Sequence, residues 1–136
     1  MATRILIADD DVSIRQLLCR LLQEHSGWQV CGAVANGLEA VLRVADLNPD
    51  VVILDLAMPE MNGLQAAQEI SARYPLLPML LLTVQDVHPE LAKAAQKAGF
   101  GGAVSKNTGI EVVKGVEALL HEGSFFTLSA SDLSAD

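Results

Sequence analysis

Basic residues are scarce in this chain: 9 Lys and Arg stand against 17 Asp and Glu in 136 residues, a net charge of −8. No block of Lys or Arg is present that could track a phosphodiester backbone, so direct nucleic-acid contact by this chain is disfavoured. Cysteine is nearly absent. Cys19 and Cys31 lack metal-ligand spacing and read as reduced, half-buried thiols rather than a disulfide or metal framework. No apolar run approaches the length that spans a bilayer, so no membrane role is expected. Met1-Ala2-Thr3-Arg4 leads straight into an apolar run, so no signal peptide is expected and the cytoplasm is the default compartment. There is no internal repeat. What remains is 51% hydrophobic, enough for one folded domain with a real core.

The stretch from Val51 to Gly63 organises the chain. Val51, Val52, Ile53 and Leu54 read as a strand buried on both faces, and the run ends on a carboxylate, Asp55. Other apolar runs behave alike. Residues 5–8 end on Asp9, Asp10 and Asp11; residues 79–82 end on Thr83; a weaker strand at 103–105 delivers Lys106. Residues 30–35 supply a further strand that closes at Asn36-Gly37. Helical spacing lies between them: Ile14, Leu17, Leu18, Leu21 and Leu22; then Leu38, Val41, Leu42 and Ala45; then residues 63–74. Leu91, Ala94, Ala95 and Ala98 form a thin inner face behind Pro89, and Val112, Val113, Val116, Leu119 and Leu120 mark the last helix. Asp11 or Ser13 is placed to cap the first of these helices. Five βα units in alternation predict an α/β domain, a doubly wound five-stranded parallel sheet with right-handed crossovers. Residues 1–122 form the domain, and residues 123–136 read as a tail or linker with Phe125 and Phe126 as its sizeable anchors.

In an open parallel sheet, ligands bind beyond the carboxyl ends of the strands. Asp9, Asp10, Asp55, Thr83 and Lys106 all emerge on that edge. Each has a bland alternative alone: a helix-start carboxylate, a loop cap, a solvated ammonium. Their arrival together at four strand ends overrides those readings. Three carboxylates crowded together repel unless a cation intervenes, and hard oxygen ligands with room for water suit Mg²⁺. Metal, ammonium and hydroxyl together make a cradle for a phosphoryl group. An Asp beside that cradle can itself be the nucleophile, giving an aspartyl-phosphate.

Asp9-Asp10, Leu54-Asp55-Leu56-Ala57-Met58-Pro59 with Gly63, Thr83 and Lys106 together resemble the receiver domain of bacterial two-component response regulators, over roughly residues 3–122. The resemblance implies a flavodoxin-like (βα)5 fold of strand order 2-1-3-4-5. It also implies that Asp55 accepts a phosphoryl group from a sensor histidine kinase or a phosphotransfer protein. Asp10, Asp55 and the backbone carbonyl of Ala57 would ligate Mg²⁺, with Asp9 behind them. Thr83 would bond a phosphoryl oxygen, and Lys106 would pair with Asp55 or its phosphate. Homodimers are common among receivers. The chain would be a signalling phosphoacceptor and no enzyme beyond its own phosphoryl transfer and dephosphorylation.

The chain departs from that family in places. Ala103 stands where many receivers carry a Tyr or Phe that swings inward when the threonine moves. Val84 follows Thr83 where the family often has Ala, and Asn107 follows Lys106 where many have Pro. Ala57 and Gln85, two residues beyond Asp55 and Thr83, flank the path of an attacking water. The apolar Ala57 cannot orient that water, so a long-lived phosphorylated state is expected. His121-Glu122-Gly123-Ser124-Phe125-Phe126 is similar to the exit of receivers that precede a helix-turn-helix domain. That leans toward part of a larger regulator over a stand-alone receiver.

Rival classes fit less well. A hydrolase of the haloacid-dehalogenase type needs a carboxylate general acid where Ala57 stands. A nucleotide-binding flavodoxin-like protein needs a phosphate-cradling loop where Asp9, Asp10 and Asp11 stand. A degenerate receiver, acting as a phosphorylation-independent protein-binding module, would share the scaffold, and Ala103 and Val84 favour it mildly.

Overall fold

The computed structural model describes residues 2–106, 109–121 and 123–126. Strands β1 (Thr3–Ala8), β2 (Trp28–Val34), β3 (Val51–Asp55), β4 (Met79–Thr83) and β5 (Gly102–Ser105) alternate with helices α1 (Val12–Glu24), α2 (Gly37–Leu47), α3 (Gly63–Arg73), α4 (Pro89–Ala98) and α5 (Gly109–His121). All pair in parallel, in the order β2-β1-β3-β4-β5 that the resemblance implies. The sheet then continues into a short sixth strand, β6 (Phe125–Phe126), which pairs with β5. Residues assigned by sequence to a tail thus contribute to the sheet as far as Phe126. The rest of that tail, and Asn107, lie outside the described residues.

The central strands are apolar because both faces are covered. Ile5, Ile7, Ile53, Leu80 and Leu82 pack with α1 and α5 on one side. Leu6, Leu54 and Leu81 pack on the other with α2, α3 and α4. Every residue of β3 and β4 is buried. Side chains two apart share a face, so the polar residues that end these strands inherit a fixed direction from the core below them.

Helix starts follow local chemistry. Asp11, Asn36 and Asn62 cap α1, α2 and α3, each accepting from the backbone N–H three residues on, and Asn62 with Gln65 completes a capping box. The apolar face of α2 differs from the sequence reading. Gly37, Ala40 and Val44 face the core and Val41 of the expected stripe packs half-buried against it, while Leu38 and Leu42 are 44% and 59% exposed and Ala45 is exposed. Gly37 sets the phase: a Cβ there would lie 2.1 Å from the carbonyl oxygen of Met61, so only glycine lets α2 start against the β3–α3 loop. In α4 the expected Ala95 and Ala98 are buried together with Ala92, while Leu91 and Ala94 are half-buried. In α1, Leu18 and Leu22 are buried and Leu17 is 45% exposed. Cys19 and Cys31 are unpaired and partly buried, and burial pushes both thiols up, away from the reactive thiolate. Among the described residues, no helix is long and apolar enough to cross a membrane.

Candidate functional site

β1, β3, β4 and β5 end side by side, and their register brings the polar termini together. Thr83 is the register partner of Ser105, and Asp55 that of Leu82. Two backbone bonds carry the alignment past the strand ends: Leu56 N–H donates to Leu82 O and Lys106 N–H to Thr83 O, both at 2.8 Å. The β3–α3 loop folds back over the strand it leaves. Gly63 N–H donates to Leu56 O at 3.0 Å, and a Cβ on Gly63 would sit 2.3 Å from the carbonyl oxygen of Asp55. The glycine is required by that close approach.

Asp9, Asp10 and Asp55 converge, each with one carboxylate oxygen within 4.8 Å of the others. Asp9 and Asp55 are buried, whereas Asp10 is exposed to solvent. The Lys106 ammonium enters between the buried pair, 2.9 Å from Asp9 Oδ2 and 3.2 Å from Asp55 Oδ2. Both oxygens of Asp9 are thereby engaged, since Oδ1 accepts from Asp11 N–H at 2.9 Å. Asp55 retains an oxygen that faces a cavity of about 430 Å³ lined by Asp10, Asp11, Ala57, Thr83, Val84, Gln85 and Lys106 among others. Thr83 is buried, and its hydroxyl accepts from Gln85 N–H at 3.2 Å.

The electrostatics follow from this crowding. Burial pushes the Asp55 carboxyl up to about 6, the Asp9 charge adds to the rise, and Lys106 opposes it. Burial pulls Lys106 down, but its bonds and charge contacts with Asp9 and Asp55 outweigh that, and the net shift is upward. One ammonium therefore serves two buried carboxylates and leaves the set with excess negative charge. A hard divalent cation, which takes carboxylate oxygens and keeps several waters, suits such a donor set beside an open cavity.

All five strand-end residues singled out from the sequence meet here, with Ala57 on the cavity wall. Two supporting contacts were not foreseen. Arg15 donates to the backbone carbonyl of Asp9 at 2.7 Å, and Gly37 N–H donates to Met61 O at 3.0 Å, tying α2 to the loop after Asp55. Arg15 lies one helical turn beyond the capping Asp11, and only that spacing marks it in the sequence.

Residues 5–116 match the family model of the response regulator receiver domain. The chain is 40% identical over 107 residues to a protein-glutamate methylesterase/protein-glutamine glutaminase of Pseudoalteromonas atlantica, covering 76% of this chain and 27% of that protein. It is 32% identical over 114 residues to response regulator GacA of Pseudomonas viridiflava, covering 83% of this chain and 53% of GacA. The chain thus spans about a quarter of the methylesterase and about half of GacA. Among solved structures, a LuxR-family two-component response regulator from Aurantimonas sp. superposes with a TM-score of 0.86 at 27% identity, over 99% of this chain and 94% of that one. The signal receiver domain of the NarL response regulator from Mycobacterium tuberculosis superposes with a TM-score of 0.78 at 30% identity, over 85% of this chain and 94% of that one.

Proposed function

This chain belongs to the response regulator receiver family, and from that premise we propose that Asp55 is its phosphoacceptor. The observation that carries the assignment is the Lys106 ammonium held between Asp9 and Asp55, with Asp10 close by and solvent-accessible. The phosphodonor is a phosphohistidine of a sensor histidine kinase or phosphotransfer protein. An Asp55 carboxylate oxygen attacks phosphorus, an O–P bond forms as the P–N bond breaks, and the imidazole leaves with the electron pair. The histidine ring then recovers a proton from solvent.

Asp10, Asp55 and the carbonyl of Ala57 are the residues that would hold Mg²⁺, which when bound neutralises charge on the transferring oxygens. Asp9 stands behind them. Both its oxygens are committed, so its part is to hold Lys106 in place. Lys106 follows the charge from the Asp55 carboxylate to the phosphoryl group, and the Thr83 hydroxyl, which accepts from Gln85 N–H, keeps its own hydrogen to donate to a phosphoryl oxygen. The chain's only catalysis is then its own phosphorylation and dephosphorylation. Its place as the N-terminal part of a helix-turn-helix regulator is supported by the likeness to the LuxR-family structure and by the greater length of GacA.

Intact-protein mass tests the reading. After incubation with a small-molecule phosphodonor, one phosphoryl group is gained with Mg²⁺ and not without it, and Asp55→Asn gains none. A folded protein that gains nothing under any condition overturns the assignment in favour of a phosphorylation-independent binding module.

A further inference from the structure

Each polar atom of Asp9 has a partner. Its N–H donates to the Val34 carbonyl at 3.0 Å, and Oδ1 and Oδ2 accept from Asp11 N–H and Lys106, each at 2.9 Å. The backbone carbonyl oxygen accepts from the Arg15 guanidinium at 2.7 Å. Asp10, the next residue, differs: it is exposed and lines the open cavity beside Asp55. The direction of its carboxylate is therefore inherited from its backbone.

Two peptide units set that backbone. Each unit is planar, so a hydrogen bond to one of its atoms limits rotation of the whole unit. The unit between Asp9 and Asp10 carries the carbonyl that Arg15 holds. The unit between Asp10 and Asp11 carries the N–H that Asp9 Oδ1 holds. The Cα of Asp10 joins the two planes, and its φ and ψ, with the direction of its Cβ, follow from both bonds. Arg15 is built to supply the first of them. It stands in the first turn of α1, its own N–H donating to Asp11 O at 2.9 Å, and helical side chains lean toward the N-terminus. That lean carries the guanidinium back to the end of β1. Arg15 is half-buried, which shields the bond in part from competing water.

We propose that Arg15 is a positioning residue for metal binding: by holding the Asp9 carbonyl it aims the Asp10 carboxylate toward Asp55. The inference rests on the reading above that Asp10 and Asp55 hold Mg²⁺. A guanidinium only donates, so Arg15 is not itself a ligand. Its charge even opposes the role, because a cation beside the three carboxylates weakens their attraction for a second one. Charge and position thus predict opposite signs for its removal. Loss of the charge alone tightens Mg²⁺ binding. Loss of the bond frees the peptide before Asp10, spreads its carboxylate over several directions and weakens binding.

Melting temperature against Mg²⁺ concentration, starting in chelator with the full 136-residue chain, separates the two. Arg15→Met keeps the apolar stem and removes donor and charge together. The rise is measured from each protein's own metal-free value, so a lower starting stability does not enter. In Arg15→Met the Kd for Mg²⁺ increases about tenfold. Arg15→Lys, which retains a donor and the charge, recovers most of the loss. The Mg²⁺ concentration that half-saturates phosphorylation by a small-molecule phosphodonor shifts by the same factor, while the rate at saturating Mg²⁺ stays close to that of the parent. An Arg15→Met protein that binds Mg²⁺ as tightly as the parent, or more tightly, overturns the inference alone, as does a loss that Arg15→Lys leaves in full. A parent protein whose melting temperature does not respond to Mg²⁺ overturns the metal reading and this inference with it.

Discussion

Lys106 holds Asp9 more closely than Asp55, at 2.9 Å against 3.2 Å, although Asp55 is the residue that faces the cavity. Asp9 is fixed further by the N–H of Asp11, and its backbone carbonyl by Arg15. The ammonium is anchored to a carboxylate without a free oxygen, and its charge reaches the nucleophile from that anchor. Asp55 is left incompletely compensated. That leaves a measurable cost in the metal-free protein.

The cost appears as a pH dependence of stability. Asp55 titrates near 6 in the folded chain against an ordinary value of 3.8. Between those values the folded state keeps a proton that the unfolded chain has lost, so stability falls as pH rises through this window. The loss runs through pH 6, levels off about one unit above it and amounts to about 3 kcal/mol. Thermal melts in chelator from pH 4 to 8 show the decline. Asp55→Asn flattens it and melts higher than the parent at pH 7.5. A parent protein whose melting temperature rises across the window contradicts the reading.

Magnesium acts against the same cost. A cation held by Asp10 and Asp55 binds the folded chain alone and raises its stability by about 2.7 kcal/mol at a hundredfold excess over Kd. The rise is expected at pH 7.5 and shrinks below pH 6 as Asp55 takes up its proton. Asp10→Asn removes most of it, because Asp10 is the solvent-exposed carboxylate of the three, whereas Asp9 and Asp55 are paired with Lys106. Melting temperature against Mg²⁺ concentration, for both proteins at both pH values, checks this.

Much of this was legible in the sequence because buried strands are short apolar runs and each polar terminus is visible as the run ends. Asp9, Asp10, Asp55, Thr83 and Lys106 could be placed on one edge from that alone, given the right-handed parallel topology. Helix phase was less legible. Leu38 and Leu42 read as an inner stripe, yet Gly37, Ala40 and Val44 face the core. The signal that decides the phase is a glycine against the Met61 carbonyl, a close approach that hydropathy does not register. Phe125 and Phe126 were hidden for another reason. A two-residue strand has no period, and its pairing depends on an edge of β5 that exists only once the sheet has formed.

Gly63 is the most demanding backbone position near the nucleophile. An added methyl group would meet the Asp55 carbonyl oxygen at 2.3 Å and Leu56 Cα at 3.2 Å, both backbone atoms with no flexible side chain to yield. Gly63→Ala is expected to cost more than about 2 kcal/mol, despite the better helix propensity of alanine. Urea melts give the loss directly. Glycine-to-alanine exchange at Gly27 is the control: its Cβ meets nothing within 4 Å, so the penalty there is that of its φ of +84° alone.

The lifetime of phosphorylated Asp55 turns on Ala57 and Gln85, which line the cavity beyond the nucleophile. Hydrolysis of an acyl phosphate needs a water aligned opposite the bond to the carboxylate oxygen, and a side chain at position 57 with a donor or acceptor could hold one. The methyl group of Ala57 offers neither. Gln85 can bond a water, but one group fixes its position less well than two. The phosphorylated state is therefore expected to outlast a timescale of seconds in the presence of Mg²⁺. Ala57→Asn should shorten it, since residue 57 is exposed and its side chain can be changed without disturbing the core. Decay followed by intact mass after removal of the phosphodonor decides the matter: a parent half-life of seconds, or an Ala57→Asn variant that decays no faster, removes Ala57 as the cause.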